Sequence, residues 1–221
     1  MNDEFIRIRN AVEADIPFLI EGIIAAEKSG TEKLSYCTIF NITESELRTL
    51  LAIVLAEDIT GQELCVSGFL VAEMNEQRAG AVCSWVEGAD GKSSAILKGN
   101  LLLHFLGRER IAAAAADLKL MEQLSLARTN GALQLESVYV SAAYRGRGIC
   151  GKLLATHQQR AQREHPGLSR GQIILAKSND SAHAAYEKSG FRITAERRSQ
   201  SPRVLELLPA SCRILMEKSL P

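Results

Sequence analysis

Between positions 144 and 151 the chain reads Tyr144-Arg145-Gly146-Arg147-Gly148-Ile149-Cys150-Gly151. Gly146, Gly148 and Gly151 spell G-x-G-x-x-G, the pattern of a dinucleotide-binding turn. Arg145 through Cys150 also nearly match R-x-x-G-x-[G/A], a loop that grips the pyrophosphate of coenzyme A. Both kinds of loop leave an apolar strand and open a helix, so the immediate flanks fit either. The choice separates a redox enzyme from an acyltransferase.

A dinucleotide turn places its first glycine at the strand end, and the next strand finishes on an acidic residue for the ribose hydroxyls. Here Ser141 to Arg145 intervene between Val140 and Gly146. The next strand-like run, Gln172 to Ala176, ends at Lys177 without a carboxylate, and Glu164 falls at a helix end. Both requirements fail. The loop still suits a phosphate. A helix opening near Gly148 presents unpaired N–H groups and the positive end of its dipole. Glycines at 146 and 148 remove the Cβ atoms that would hold an anion off the backbone. Arg145 and Arg147 add charge in a form that matches phosphate.

A second constellation lies downstream. Asn179-Asp-Ser-Ala182-His-Ala-Ala-Tyr186-Glu-Lys-Ser-Gly190-Phe191 has the form N-x-x-A-x-x-x-Y-x-x-x-G-F. Together with Leu135-Glu-Ser-Val-Tyr-Val140 and the Arg145 loop, it resembles the GNAT superfamily of acetyl-CoA-dependent N-acyltransferases. The resemblance is strong from about Leu133 to Phe191, with a fitting last strand at Ile214 to Lys218. It is looser over residues 1–86 and absent between Glu87 and Gly131. Cys150 departs from the pattern, standing where the family has Gly or Ala.

The resemblance implies an α/β fold: a mixed, mostly antiparallel sheet of six to seven strands flanked by helices, with a helical insertion between the third and fourth strands. It implies that Val138, Tyr139 and Val140 offer main-chain groups to the pantetheine arm and thioester. The parallel strands Leu133–Val140 and Gln172–Ala176 would splay to admit the cofactor. Arg145, Gly146, Arg147, Gly148, Ile149, Cys150 and Gly151 would cradle the pyrophosphate, and Asn179 would contact the cofactor. Tyr186 would be the general acid, and transfer would be direct. Acetyl-CoA would be the acyl donor, with no metal; the histidines at 104, 157, 165 and 183 have no ligand spacing.

Periodicity outlines the rest. Phe5 to Arg9 alternates as a first strand, and Asp15 is placed to cap a helix with Pro17 in its first turn. Thr43-x-x-Glu46 is a capping box ahead of a second helix. Leu64–Ala72 and Ala79–Val86 read as a hairpin through residues 73–78. Helical spacing follows over Ser94–Leu106 and Ile111–Arg128, where the Ala112–Ala116 run favours helix. After the glycine loop come a helix to about Glu164, the Gln172–Ala176 strand, a short helix over Asp180–Ser189, and strands at Phe191–Glu196 and Arg213–Glu217. One domain over 1–221 with an insert at about 88–131 is the expected organisation.

The composition is that of an ordinary globular chain, with 46% apolar and 24% charged residues in 221. Formal net charge is zero, so no bulk field recruits nucleic acid or an anionic membrane. Cysteines 37, 65, 83, 150 and 212 are scattered without a C-x-x-C, which favours reduced thiols. The acidic start Met1-Asn2-Asp3-Glu4 reads as no signal peptide, and no apolar run reaches membrane-spanning length. The expectation is a cytoplasmic protein.

Acetylating an amine poses two proton problems. An alkylammonium must lose a proton before attacking, a cost of about 4–5 kcal/mol at pH 7 without a base. The departing thiolate must then gain one. Glu136, two residues before Val138 and so on the same face, is the candidate base, acting directly or through water; Glu87 is a second choice. Cys150 as a nucleophile would instead give an acyl-enzyme. The segment from Glu87 to Gly131 would roof the site of a small-molecule or peptide amine and set specificity, the alternative being an added scaffold or homodimer surface. A non-catalytic acyl-CoA-binding domain and an NAD-type oxidoreductase are the alternative functions.

Overall fold

The structure is a computed structural model, and residues 5–221 are described. The tetrapeptide Met1–Glu4, and with it the reading of its acidic start, lies outside them. The strands are β1 (Ile6–Asn10), β2 (Phe69–Met74), β3 (Gln77–Val86), β4 (Leu133–Val140), β5 (Arg170–Ala176), β6 (Arg192–Arg198) and β7 (Cys212–Ser219). They form one sheet in the order β1-β2-β3-β4-β5-β7-β6. All neighbours are antiparallel except β4 and β5.

Helices α1 (Ile16–Lys28), α2 (Ser35–Phe40) and α3 (Glu44–Glu57) precede β2, and α4 (Ser94–Leu106), α5 (Arg108–Ala113) and α6 (Ala115–Met121) separate β3 from β4. Helix α7 (Ile149–Glu164) follows β4, α8 (Asp180–Lys188) follows β5, and α9 (Val204–Leu207) precedes β7. The apolar rows of the sheet bury against both helical layers. Ala81, Cys83 and Trp85 of β3 pack with α1 to α6 and α9. Val82 of β3, with Leu133 and Leu135 of β4, packs with α7 and α8 on the opposite face. Among the described residues no helix is long and apolar enough to cross a membrane.

Local sequence explains much of this. Thr43 caps α3: its hydroxyl accepts from Glu46 N–H at 3.2 Å and Glu46 accepts from Thr43 N–H at 2.7 Å. Asn75 and Glu76, at φ 49° and 63°, form the two-residue turn of the β2–β3 hairpin. The pairing therefore runs further into residues 73–78 than expected, while Val66–Gly68 coils as a short 3-10 turn, so β2 begins at Phe69 rather than Leu64.

Two expectations are corrected. Asp15 does not cap α1 with its side chain. Its fully buried carboxylate instead takes Arg9 at 2.6 Å, Arg78 at 2.5 Å and the Val12 N–H at 2.9 Å. Burial alone would raise its pKa, but these partners hold it well below the usual carboxylate range. The helix expected over Ile111–Arg128 is broken at Ala114 and stops at Met121. After a 3-10 turn the chain is extended from Ser125. Leu124 and Leu126 are buried in alternation, which outweighs helix propensity and carries Arg128 toward β4.

Candidate active site

The antiparallel pairing of β3 with β4 slips once. Cys83 faces Glu136 and Ala81 faces Tyr139, so Val82 alone opposes both Ser137 and Val138. Ser137, at φ 51°, is the one strand residue at positive φ among the described residues. This is a β-bulge, and it shifts the in–out alternation by one. Glu136 and Val138 therefore lie on opposite faces, which corrects the same-face expectation. Val138 and Val140 join Leu133 and Leu135 on the α7–α8 side. Glu136 and Ser137 line a cavity on the α1–α2 side.

Already before the bulge β4 leaves its parallel neighbour. Only Leu133↔Gly171 and Gln134↔Gln172 pair across β4 and β5. Gln134 Nε2 donates to Gln172 Oε1 at 2.8 Å, and Gln172 in turn donates to Thr129 and Glu217, a buried clasp at the closed end. The strands diverge from there, as expected for a cofactor slot. Tyr139 turns its ring to α1, edge-on to Phe18 with centroids 5.8 Å apart. Gly22 permits this approach, since a Cβ there would lie 3.2 Å from the Tyr139 Cβ.

The glycine loop continues from β4 through a 3-10 turn, Ala142–Tyr144. Arg145 Nε donates to the Val140 carbonyl at 3.1 Å, fastening the loop to the strand end. Arg147 lies over the Tyr144 ring at 5.9 Å. Gly146 and Gly148 have φ of 78° and 76°, and added Cβ atoms would meet nothing within 4 Å. Gly148 is the N-cap of α7. The first-turn N–H groups of Ile149, Cys150 and Gly151 are those an α-helix leaves without intrahelical acceptors. The backbone there is open and rich in donors. Cys150 packs against the α7-side core, and burial pushes its thiol pKa up to about 11. A protonated thiol is a poor nucleophile, which counts against an acyl-enzyme.

Tyr186 stands on α8, buried against the same core. Burial, helped by nearby Cys150 and Glu136, raises its pKa far above an ordinary phenol. Asn179 is the N-cap of α8, its Oδ1 accepting from the Ala182 N–H at 3.2 Å. His157 of α7 bonds across to β3: Nε2–H donates to the Val82 carbonyl at 2.8 Å, and Nδ1 meets Ser84 Oγ at 2.7 Å. Burial lowers its pKa to about 4.

On the other face the cavity, about 310 Å3, lies among α1, α2, α4, α6, the diverging strands and the Leu208–Ala210 segment. Six charged residues line it, Glu27 and Arg213 among them, and the other four form two pairs. Lys98 Nζ meets Glu63 at 2.5 Å, and Arg128 meets Glu136 at 2.7 Å while lying over the Trp85 ring at 5.3 Å. Burial, with the charge of Glu63, raises the Glu136 pKa against the pull of Arg128. Glu63 is itself lowered, Lys98 and Arg128 outweighing its burial. Tyr36 also lines the cavity, its pKa pushed up to about 12 by burial. Glu87 is fully engaged elsewhere, accepting from Trp85 Nε1 and Ser94 N–H at 2.9 Å each, so it serves the insert rather than a proton transfer.

Of the residues that line this cavity the sequence singled out Glu136 as a candidate, and Tyr36, Glu63, Lys98 and Arg128 were not among its candidates. Only Arg128 had a signal, the two-residue period it shares with Leu124 and Leu126.

Comparison with known proteins agrees with this geometry. The family described as Acetyltransferase (GNAT) family matches residues 37–191. The chain belongs to that family. An N-acetyltransferase from Staphylococcus aureus Mu50 shares its fold at TM-score 0.63 and 17% identity, over 96% of this chain and 100% of that one. A putative acetyltransferase from Salmonella typhimurium, solved with its cofactor acetyl-CoA, aligns at TM-score 0.52 and 17% identity over 98% and 95% of the two chains. The ribosomal-protein-S18-alanine N-acetyltransferase from Escherichia coli aligns at TM-score 0.52 and 14% identity over 98% and 94%. No curated protein sequence matches the chain.

Proposed function

We propose that this chain moves an acetyl group from acetyl-CoA to a primary amine by direct attack of the nitrogen on the thioester carbonyl. The observation that carries this reading is the divergence of β4 from β5. With no β4–β5 pairing past Gln134, no ladder separates the cavity that Glu136 lines on one face from Tyr186 on the other, which supports this reading. The acceptor class is a small-molecule or peptide amine.

Acetyl-CoA supplies the activated acyl group, and the chain supplies position and proton handling. The open backbone at Gly146 and Gly148, the first turn of α7 at Ile149 to Gly151, and the guanidinium groups of Arg145 and Arg147 suit the pyrophosphate. Val138, Tyr139 and Val140 run where β4 has no β5 partner, so main-chain groups on that edge are available to the pantetheine arm. Asn179 sits at the start of α8 as a further cofactor contact.

The ammonium first gives a proton to the Glu136 carboxylate, directly or through water. The neutral amine then forms the N–C bond, and as the C–S bond breaks the nitrogen's second proton leaves through water to replace the one that the departing sulfur takes from Tyr186. A raised carboxylate pKa makes Glu136 a better acceptor, while the Arg128 guanidinium favours its charged form. The phenol of Tyr186 stays protonated throughout the working range, so its O–H stands ready for the departing sulfur.

Thermal-shift titration with acetyl-CoA and NAD in parallel tests the donor, since stabilisation follows RT ln(1 + [L]/Kd). Acetyl-CoA is expected to stabilise and NAD not. A thiol-release assay over a panel of amines tests the transfer, and Glu136→Gln should lower kcat by about 100-fold. Tight acetyl-CoA binding without thiol release from any amine would mean a binding module instead.

A further inference from the structure

We infer that the acceptor carries a carboxylate as well as its amine, that it is a small amino acid or a close analogue, and that Arg213 receives the carboxylate. This rests on the reading of the cavity as the acceptor site. The cavity's charges nearly all have partners. Glu63 pairs with Lys98 and Arg128 with Glu136, while Glu27 accepts from the Ser35 N–H at 3.2 Å. Arg213 lines the same wall, yet its side chain has no ion pair or hydrogen bond among the described residues. Its cross-strand neighbour on β6 is Arg197, a like charge on the same side of the sheet. Directly opposed like charges repel, and an anion between or beside them removes the conflict.

Two further atoms point the same way. Ser35, 3% exposed, has no partner for its Oγ, and Arg128 has none for its buried Nε. Both residues line the cavity. Folded proteins leave few buried polar atoms unpaired, so these donors call for acceptor oxygens on what enters. A plain diamine or polyamine would leave them unmet and place another positive charge near Arg213. A carboxylate meets the guanidinium in a charge-assisted, two-pronged contact. The volume, about 310 Å3, is at the small end for ligand sites and suits one compact molecule.

The test is a thiol-release assay with acetyl-CoA on matched sets: each free amino acid, its carboxamide and its decarboxylated amine. The free acid should have the higher kcat/KM by about 10- to 100-fold. Arg213→Gln should bring that ratio close to unity mainly through KM, and Arg213→Lys should restore part of it. Stabilisation by acetyl-CoA serves as the fold control for both variants. Equal or better turnover of amides or plain amines overturns the carboxylate inference while leaving the transferase reading standing. So does a ratio unchanged in Arg213→Gln. If no amine is acetylated, the transferase reading falls. Thermal stabilisation by the free acid over its amide then decides the carboxylate question by itself, and no difference overturns it.

Discussion

The two faces of the sheet differ in whether they bury paired charges. On the α7–α8 side, burial holds the Cys150 thiol and the Tyr186 phenol protonated and the His157 imidazole without a charge. On the α1–α6 side the buried carboxylates are matched with cations, Glu63 with Lys98 and Glu136 with Arg128, beside a Tyr36 phenol that burial also keeps protonated. Burying a charge demands a partner, whereas a neutral group needs at most a hydrogen bond. The neutral side therefore has little with which to choose among ligands, and its anion grip comes from backbone at the rim. The ionised side can discriminate by charge. A donor common to a whole family and an acceptor peculiar to one member fit these two sides in turn.

The largest expected effect that would break this contrast is in Tyr186→Phe. It should lower kcat by about 10²–10⁴-fold while leaving stabilisation by acetyl-CoA unchanged. An unaltered kcat would mean that the neutral side takes no part in proton handling. Next is acid sensitivity. His157 has a native pKa near 4, against about 6.5 in an unfolded chain. Below the higher value the unfolded chain binds a proton that the native one refuses, so stability falls as pH drops from about 6.5 to 4. The loss should reach about 3 kcal/mol. Urea midpoints measured against pH should show this slope, and His157→Gln should flatten it. A slope that persists in the variant would place the acid-labile group on the ionised side. The smallest effect is in Gly148→Val. The added side chain would hold phosphate off the backbone N–H groups, and losing one hydrogen bond to a charged group costs about 1.5 kcal/mol, so acetyl-CoA affinity measured by titration calorimetry should fall about tenfold. Retained affinity would show that the rim backbone is not the grip.

The same contrast decides what could be read from the sequence. The neutral side is built on local rules. A glycine at positive φ, a helix start and a tyrosine one helix later each leave a mark within a few residues, so the loop and Tyr186 were legible. The ionised side is assembled from distant positions. Glu63 lies in a loop before β2, Lys98 in the inserted α4 and Arg128 in the extended run before β4. No spacing rule links them, because sheet order and not sequence order brings them together. The strands and most helices followed from periodicity and caps. The exceptions were places where long-range contacts outweighed local preference: Asp15 drawn from capping to Arg9 and Arg78, and an alanine-rich run that stops so that Leu124 and Leu126 can reach the core. The bulge was invisible for a related reason. Leu135-Glu-Ser-Val-Tyr-Val140 alternates acceptably in either register until Val82 is placed opposite two residues at once.

That bulge separates two properties usually encoded together. Ser137 is supernumerary: without it, Leu133, Leu135, Val138 and Val140 would still fall in one apolar row, and Glu136 and Tyr139 in the other. Removing it costs the interior nothing in pattern and relieves a strained backbone. What would vanish is the local bend and added twist that the bulge gives β4 where it runs without a β5 partner. A chain lacking this one residue should keep its melting temperature and lose its response to acetyl-CoA. The serine is a spacer inserted into an otherwise complete strand, and foldability and the bend in β4 can be inherited, or lost, one without the other.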